Sequence, residues 1–281
     1  MNPCPAAPAG RVDFVLVEPS HPGNVGAAAR AIRVMGFSRL VLVAPRDPGV
    51  LEHPQAIAMA SGADDVLAAA RRCDSLEAAL ADTTLALGLS ASGREFGPTP
   101  APPRPACEEL VRELGASART RVALVFGTER TGLSIGQLQL CQRLCAIPGA
   151  GDYRSLNLAQ AVQVMAFVMS EALAADAAGG GAPLSSPGRA PGTPEGEPAS
   201  GAQIEAMYAH LERALVGIGF LDPAHPKKLM PRLRRLFART RLEVEEVAIL
   251  RGICTQIERQ GECQGERDGE RDGERQGGVS R

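Results

Sequence analysis

Three polar turns, far apart in the chain, hold the residues that can do chemistry. The first is SHPGNVGAAARAIRVMGF, residues 20–37, with Asn24, Gly26 and Arg30. The second is ALVFGTERTGLS, residues 123–134, with Glu129 and Arg130, and the third is IPGAGDYRSLNLAQAV, residues 147–162, with Ser155 and Asn157. Each follows an apolar run, so each reads as the exit of a buried strand, where ligands of parallel sheets gather and small residues let the backbone come close. In the first turn a helix opens directly after the strand, which makes an anion site. Arg30 and Arg33 fall on the side away from the core positions Ala28, Ile32 and Met35, so a phosphate or ribose can be gripped there.

Purely structural roles compete for the same residues. Asn24 can cap the helix, with Gly36 and Phe37 supplying its left-handed stop and apolar contact. Ser134 and Ser155 can be caps, and Glu129 can pair with Arg130. Three strand ends of the same kind favour one composite pocket over three separate coincidences. A dinucleotide-binding turn is a poor match, because only Gly23 and Gly26 appear where glycines at relative positions one, three and six are required. A class I methyltransferase turn, which also wants closely spaced glycines after its first strand, fares no better.

The elements that must position these turns alternate. Short apolar runs at 11–17, 39–45, 84–89, 121–127 and 144–148 read as buried parallel strands. Helical segments at about 24–35, 75–81, 106–117 and 134–143 lie among them, giving an α/β domain with helices on both faces of a parallel sheet. A longer helix follows, with Leu156, Ala159, Val162, Ala166 and Met169 at helical spacing. Val164, Phe167 and Val168 widen its stripe, which suits either a dimer interface or a core helix.

Composition narrows the class. The formal charge of −2 over 281 residues excludes a uniformly basic coat but not a basic patch. Seven cysteines without CxxC spacing suggest neither a disulfide framework nor a zinc site; Cys141 and Cys145 sit one helical turn apart and read as buried thiols in a reducing compartment. No run approaches the roughly 18 consecutive apolar residues of a membrane helix, and the start lacks a signal-peptide layout, so a cytoplasmic protein with no membrane partner is expected. Residues 176–201, rich in Gly, Pro, Ala and Ser, read as a flexible linker between a domain at 1–175 and a helical module at 202–260. The repeat GERDGERDGERQGG reads as part of a disordered tail, 261–281.

In order and internal spacing, EPSHPGNVGAAARAIRVMGF, LVFGTERTGLS and IPGAGDYRSLNLAQAVQV resemble the three signature motifs of the SpoU branch of the SPOUT RNA methyltransferases. MYAHLERALVGIGFL, HPKKLMPRLRRLFAR and ILRGICTQIE resemble the helical extension of the bacterial tRNA cytidine/uridine 2′-O-methyltransferases of the TrmJ type. The resemblance covers about residues 13–260. It implies a SPOUT parallel sheet with a C-terminal deep trefoil knot, plus a small all-helical C-terminal domain. It implies S-adenosyl-L-methionine as methyl donor, no metal, and methylation of the ribose of C or U at position 32 in the tRNA anticodon loop. The alternative is another tRNA or rRNA site for the same chemistry.

Carried over residue by residue, the resemblance puts the cofactor against Leu89, Ser90 and Ala91, Gly127, Ile147, and Arg154, Ser155 and Leu156. Ser92 stands where relatives often have Arg, while Arg94 matches and is expected to contact RNA. Asn24 and Arg30 take the motif positions assigned to the target ribose and phosphate, with Gly26 between them, and Glu129, Ser155 and Asn157 support them. A guanidinium with a pKa above about 12 is a poor base, so Arg30 is expected to orient the hydroxyl and its phosphate. Lys227, Lys228, Arg232, Arg234, Arg235, Arg239 and Arg241 crowd fifteen residues without one acid, an electrostatic footprint for tRNA or simply a solvated helix face. Family dimers place one subunit's extension near the other's pocket, so a homodimer is expected.

Overall fold

The computed structural model describes residues 8–90, 99–149, 155–179 and 196–276, with side chains as far as residue 260. Six parallel strands form one sheet: β1 (Val12–Val17), β2 (Leu40–Val43), β3 (Arg71–Cys73), β4 (Leu85–Leu89), β5 (Val122–Phe126) and β6 (Arg143–Cys145), in the order β3-β2-β1-β5-β4-β6. A strand covered on both faces must be apolar at every position, which is why the apolar runs became strands. All six residues of β1 are buried, with Phe14 and Leu16 entering one layer and Val15 and Val17 the other. Leu16 stands in register with Leu42 on one side and Phe126 on the other.

One layer holds α1 (Pro22–Val34), α2 (Pro54–Ala60), α3 (Asp64–Ala68), α5 (Pro103–Ala116) and α7 (Leu158–Ala177). The opposite face carries α4 (Leu76–Leu80) and α6 (Ile135–Gln139). β3, α2 and α3 have no counterpart in the sequence reading. β3 is an exposed edge of sequence RRC with no apolar period: Arg71 donates to the Ala79 carbonyl at 2.8 Å, and Arg72 to both Glu52 oxygens at 2.9 Å.

Two sequence expectations change for a local reason. Helix α1 starts two residues before Asn24, because Pro22 presets a helical φ and lacks the N–H that a first turn leaves unpaired. His21 is therefore the N-cap residue, and Asn24, inside the first turn, keeps its side chain for other partners. Helix α6 stops at Gln139 because residues 143–145 are drawn into the sheet as β6, pairing Leu87 with Arg143 and Leu89 with Cys145. Cys141 and Cys145 thus do not share a helical turn, and burial pushes both thiols up to about 12.

The end of α1 is as read, with Gly36 at φ 82° and the Phe37 amide donating to Ile32 at 3.0 Å. Helix α7 is long and apolar enough to cross a membrane by length and composition, yet Val162, Met165, Ala166 and Met169 are completely buried in the layer it shares with α1 and α5. Phe167 points outward, 49% exposed.

The helical extension comprises α8 (Gly201–Gly217), α9 (Leu229–Phe237) and α10 (Val244–Gln276), around a small core of Ala199, Met207, Tyr208 and Val247. It docks on the α4 and α6 side. The Gly201 amide donates to Thr83 at 2.8 Å, Arg143 donates to the Ala238 carbonyl at 2.7 Å, and Arg241 pairs with buried Glu113. Residues 196–201, inside the expected linker, are likewise held: the Ala199 amide donates to Leu242 at 3.0 Å and the Val244 amide to Glu197 at 2.9 Å. The α10 backbone stays helical to Gln276, into the expected disordered tail, because extending a formed helix carries no nucleation cost. The loops expected to form the knot include residues 91–98 and 150–154, which lie outside the described residues.

Gly26, expected in the ribose grip, has a packing role in the structure. A Cβ there would overlap the Ala56 carbonyl of α2, so only glycine lets the two helices approach. Gly26→Ala should lose about 1–3 kcal/mol of stability in urea unfolding by overpacking. A midpoint equal to wild type would mean that α2 yields without cost.

Candidate active site

The strand order sets the place of the site. After β1 the chain turns through α1 toward β2, whereas after β5 it turns through α6 in the other direction, toward β6 beyond β4. A crevice opens at the carboxyl ends of β1 and β5, where such reversals form ligand sites. Glu129, in the turn after β5, reaches across it.

Its carboxylate accepts from the Ser20 amide at 3.2 Å, the Ser20 hydroxyl at 2.8 Å, the His21 amide at 3.2 Å and Asn24 Nδ2 at 3.0 Å. Asn24 Oδ1 in turn accepts from Asn157 Nδ2 at 3.1 Å. Asn157 also caps α7, its Oδ1 accepting from the Ala159 amide at 2.9 Å. The first turn is thus joined side chain to side chain with two others that each lie more than a hundred residues further along the chain. Burial alone would raise the Glu129 pKa, but the hydrogen bonds from Asn24, from its own amide and from Ser20 outweigh it and hold the carboxyl below its ordinary 4.5.

The turn that carries Glu129 is tight. Gly132 adopts φ 67°, its amide donates to the Thr128 carbonyl at 3.0 Å, and the Thr128 and Thr131 hydroxyls meet at 2.8 Å. A Cβ on Gly127 would overlap the Gly132–Leu133 peptide. Ser134 caps α6 in a reciprocal box with Gln137, as read from the sequence, but Glu129 faces the β1 turn and makes no pair with Arg130.

Beside this network lies an open cleft among the ends of β4, β5 and β6. Leu89, Ser90, Gly127, Ile147, Ser155 and Leu156 all line it, together with Glu129 and Arg130. Phe126, Leu133, Leu158 and Ala161 give it apolar walls, while Thr128, Thr131 and Ser155 give it a polar rim. That lining fits an amphipathic molecule with a flat apolar part and a charged end. Ala91, Arg94 and Arg154, like Ser92, lie outside the described residues. Among the described residues no three His, Cys, Asp or Glu side chains cluster to hold a metal.

The structure does not bring Arg30 to the network. Six residues beyond Asn24 on α1, it is exposed and makes no hydrogen bond or ion pair with a described residue, whereas Arg33 pairs with Asp65. Ser155 is exposed at the cleft's lip and is not the cap of α7, since Asn157 fills that position. Ser20 and His21 were not singled out in the sequence, although they directly precede Asn24; their contribution to Glu129 is largely through backbone amides, which no residue type announces.

The basic run is only partly free for a ligand. Arg234 is bidentate to Glu205 at 2.6 and 2.7 Å and lies 4.3 Å over the Tyr208 ring, and Arg241 is held by Glu113. Acids from α8 and α5 thus consume two charges that look unopposed in sequence. Arg235 Nε is buried without a hydrogen-bond partner, while Lys227, Lys228, Arg232 and Arg239 are exposed.

A family profile described as the SpoU rRNA methylase family matches residues 11–167, and one described as the C-terminal domain of the tRNA methyltransferase TrmJ matches residues 202–267. The tRNA (cytidine/uridine/adenosine-2′-O-)-methyltransferase TrmJ of Pseudomonas aeruginosa is 43% identical over 249 residues, 89% of this chain and 94% of that protein. The tRNA (cytidine/uridine-2′-O-)-methyltransferase TrmJ of Salmonella typhimurium is 41% identical over 251 residues, 89% of this chain and 98% of that one. Among solved structures, TrmJ from Z. mobilis is similar with a TM-score of 0.71 at 30% identity, covering 88% of this chain and 98% of that chain. A probable methyltransferase from Bordetella pertussis Tohama I is 50% identical with a TM-score of 0.57, covering 59% of this chain and 98% of its own.

The Glu129 network carries a pH signature. Its depressed pKa contributes stability that is present above the unfolded value and is lost as pH falls through the folded one. The stability difference between wild type and Glu129→Gln should be present at neutral pH and shrink below about pH 4.5 in parallel denaturant titrations. A difference that stays constant down to pH 3 would show that the carboxylate charge is not what the three turns depend on.

Proposed function

Because the chain belongs to the SpoU methylase family and, within it, to the TrmJ tRNA 2′-O-methyltransferases, we propose that it methylates the ribose of C or U at position 32 in the tRNA anticodon loop, with S-adenosyl-L-methionine as donor. The observation that supports this reading most directly is the chain of hydrogen bonds from Glu129 through Asn24 to Asn157, which draws the three motif turns together beside an amphipathic cleft. When bound, the donor supplies a methyl group on a positively charged sulfur.

The residues then divide the work. Leu89, Ser90, Gly127, Ile147 and Leu156 form walls and backbone for the donor, together with Ala91 and Arg154. Ser155 and Asn157 stand where the target sugar enters, and Asn24, fixed by Glu129, presents its amide to the ribose. Such anchoring matters because transfer needs the hydroxyl oxygen in line with the methyl group. Arg30 orients the hydroxyl and its neighbouring phosphate, and no metal takes part.

Arg30 is remote from its own network, and a homodimer resolves this by having one copy's Arg30 complete the other copy's site. The outward Phe167 on α7 and Val34 on the neighbouring α1, 65% exposed, give such a dimer apolar surface to cover. Residues 1–175 form the catalytic domain, 176–201 the connection and 202–260 the tRNA-binding extension, which grips the body of tRNA through Lys227, Lys228, Arg232, Arg235 and Arg239, with Arg94 near the cleft. A tRNA substrate places the protein in the cytoplasm.

Mass-spectrometric mapping of bulk tRNA incubated with the protein and labelled S-adenosylmethionine should find 2′-O-methylation at C32 and U32. A mark at another tRNA position, at an adenosine, or only on ribosomal RNA would redirect the substrate assignment. Arg30→Ala should keep donor affinity and lose about 100-fold or more in rate. Mixed with Asn157→Ala and allowed to exchange subunits, it should regain about a quarter of the wild-type rate, since half of the dimers are mixed and each has one intact composite site; no recovery would mean that Arg30 acts within its own chain. Arg232→Ala or Arg239→Ala should weaken tRNA binding and lower its salt slope by about 1, measured by filter binding across salt concentrations.

A further inference from the structure

Among the described residues that line the cleft, two carry charge, Glu129 and its chain neighbour Arg130, and their surroundings differ. The Glu129 carboxylate turns to the exit of β1, where Ser20, His21 and Asn24 supply its donors. Arg130 is exposed at the cleft's lip and makes no hydrogen bond or ion pair with a described residue. Other guanidiniums of the chain have a carboxylate at hand: Asp13 for Arg39, Glu52 for Arg72, Glu109 for Arg143 and Glu205 for Arg234. Arg130 is therefore an uncommitted positive charge on a ligand-facing surface.

The turn that presents Arg130 is held without its side chain. Thr128 and Gly132 bridge across the turn, the Thr131 amide donates to Thr128 Oγ1 at 3.2 Å, and Gly132 closes it in a left-handed conformation. Arg130 sits at the tip, midway between the two bridged residues. A side chain on so fixed a base gives up less freedom when it takes a ligand.

Two ligands meet at this cleft under the function proposed above. Arg130 gains little from the donor, whose ammonium and sulfonium outnumber its one carboxylate. A phosphate of the RNA strand offers an unopposed negative charge, and a guanidinium can hold two of its oxygens at once. The position favours the strand as well, because Arg130 adjoins Glu129, which fixes Asn24, the residue assigned above to the ribose.

We propose that Arg130 binds a backbone phosphate of the tRNA strand beside the target nucleotide, in the same chain whose cleft holds the donor, an inference that rests on the function proposed above. Phosphate contacts fix the register of a strand without reading its bases. A strand held at this phosphate and at its ribose has less freedom to turn the hydroxyl out of line with the methyl group.

The test compares wild type, Arg130→Gln and Arg130→Lys as full-length proteins on unmodified tRNA. No bond of the turn uses the side chain, so the three should melt alike. In filter binding, Arg130→Gln should weaken tRNA binding about tenfold and lower the salt slope by about 0.7, the share of one phosphate contact to a single strand. Arg130→Lys keeps the charge, so it should keep the slope and lose about threefold. Donor affinity by calorimetry should stay within about twofold in both. On end-labelled tRNA ethylated at random phosphates, ethylation at an anticodon-loop phosphate next to the methylated nucleotide should block wild type. Binding of Arg130→Gln should be indifferent to ethylation there.

Wild-type affinity and slope in Arg130→Gln overturn the contact. So does a donor affinity that falls while tRNA binding is kept, which would put the donor's carboxylate on the guanidinium. An unchanged set of blocking phosphates overturns it too, because the loss would then be a general effect of charge. These measurements read binding and need no turnover: a wild type that binds tRNA but transfers no methyl group overturns the proposed function and leaves the contact standing, and one that binds no tRNA overturns both.

Discussion

A carboxylate half withdrawn from water has to be supplied with donors, and at Glu129 that demand shapes the site. An ionised group in this position is costly unless its oxygens are filled. Here the donors come from the Ser20 and His21 amides, the Ser20 hydroxyl and the Asn24 side chain. Satisfying one residue therefore fixes the exit of β1, the first turn of α1 and the turn after β5 relative to one another. Asn157 extends the arrangement to α7 with one more bond, and because it is also that helix's cap, the long helix is indexed to the same point.

Such a site tolerates little slack in the packing beneath it, and glycine supplies the close approaches. Gly26 lets α1 lie against the α2 backbone, Gly127 lets the β5 exit fold onto the Gly132–Leu133 peptide, and Gly201 seats α8 against the Leu80 carbonyl. In each case a methyl group would meet main-chain atoms, which cannot rotate away as a side chain can.

Much of this was legible in the sequence, and the failures have physical causes. Buried parallel strands announce themselves because every position is apolar, so five strands and their order of appearance could be read. β3 could not, since an edge strand held by the Arg71 and Arg72 guanidiniums carries no such run. Asn24 looked like a cap because residue type alone cannot tell that Pro22 has already opened the helix. The crowd of arginines at 232–241 looked unopposed because Glu205 and Glu113, which hold Arg234 and Arg241, are distant in sequence and near only in space. Arg30 marks the opposite limit: its place in the motif was plain, but in the structure it is exposed and bonds to no described residue.

The connection between the two lobes does not set their relative position. Its far end is secured to Leu242, Glu243 and Thr83 before α8 begins, and its near end leaves from α7 inside the catalytic layer. Because the connection's own residues in these anchors all lie beyond residue 195, a tag or an extra domain joined ahead of Gly196 leaves the seat of α8 on the sheet domain intact.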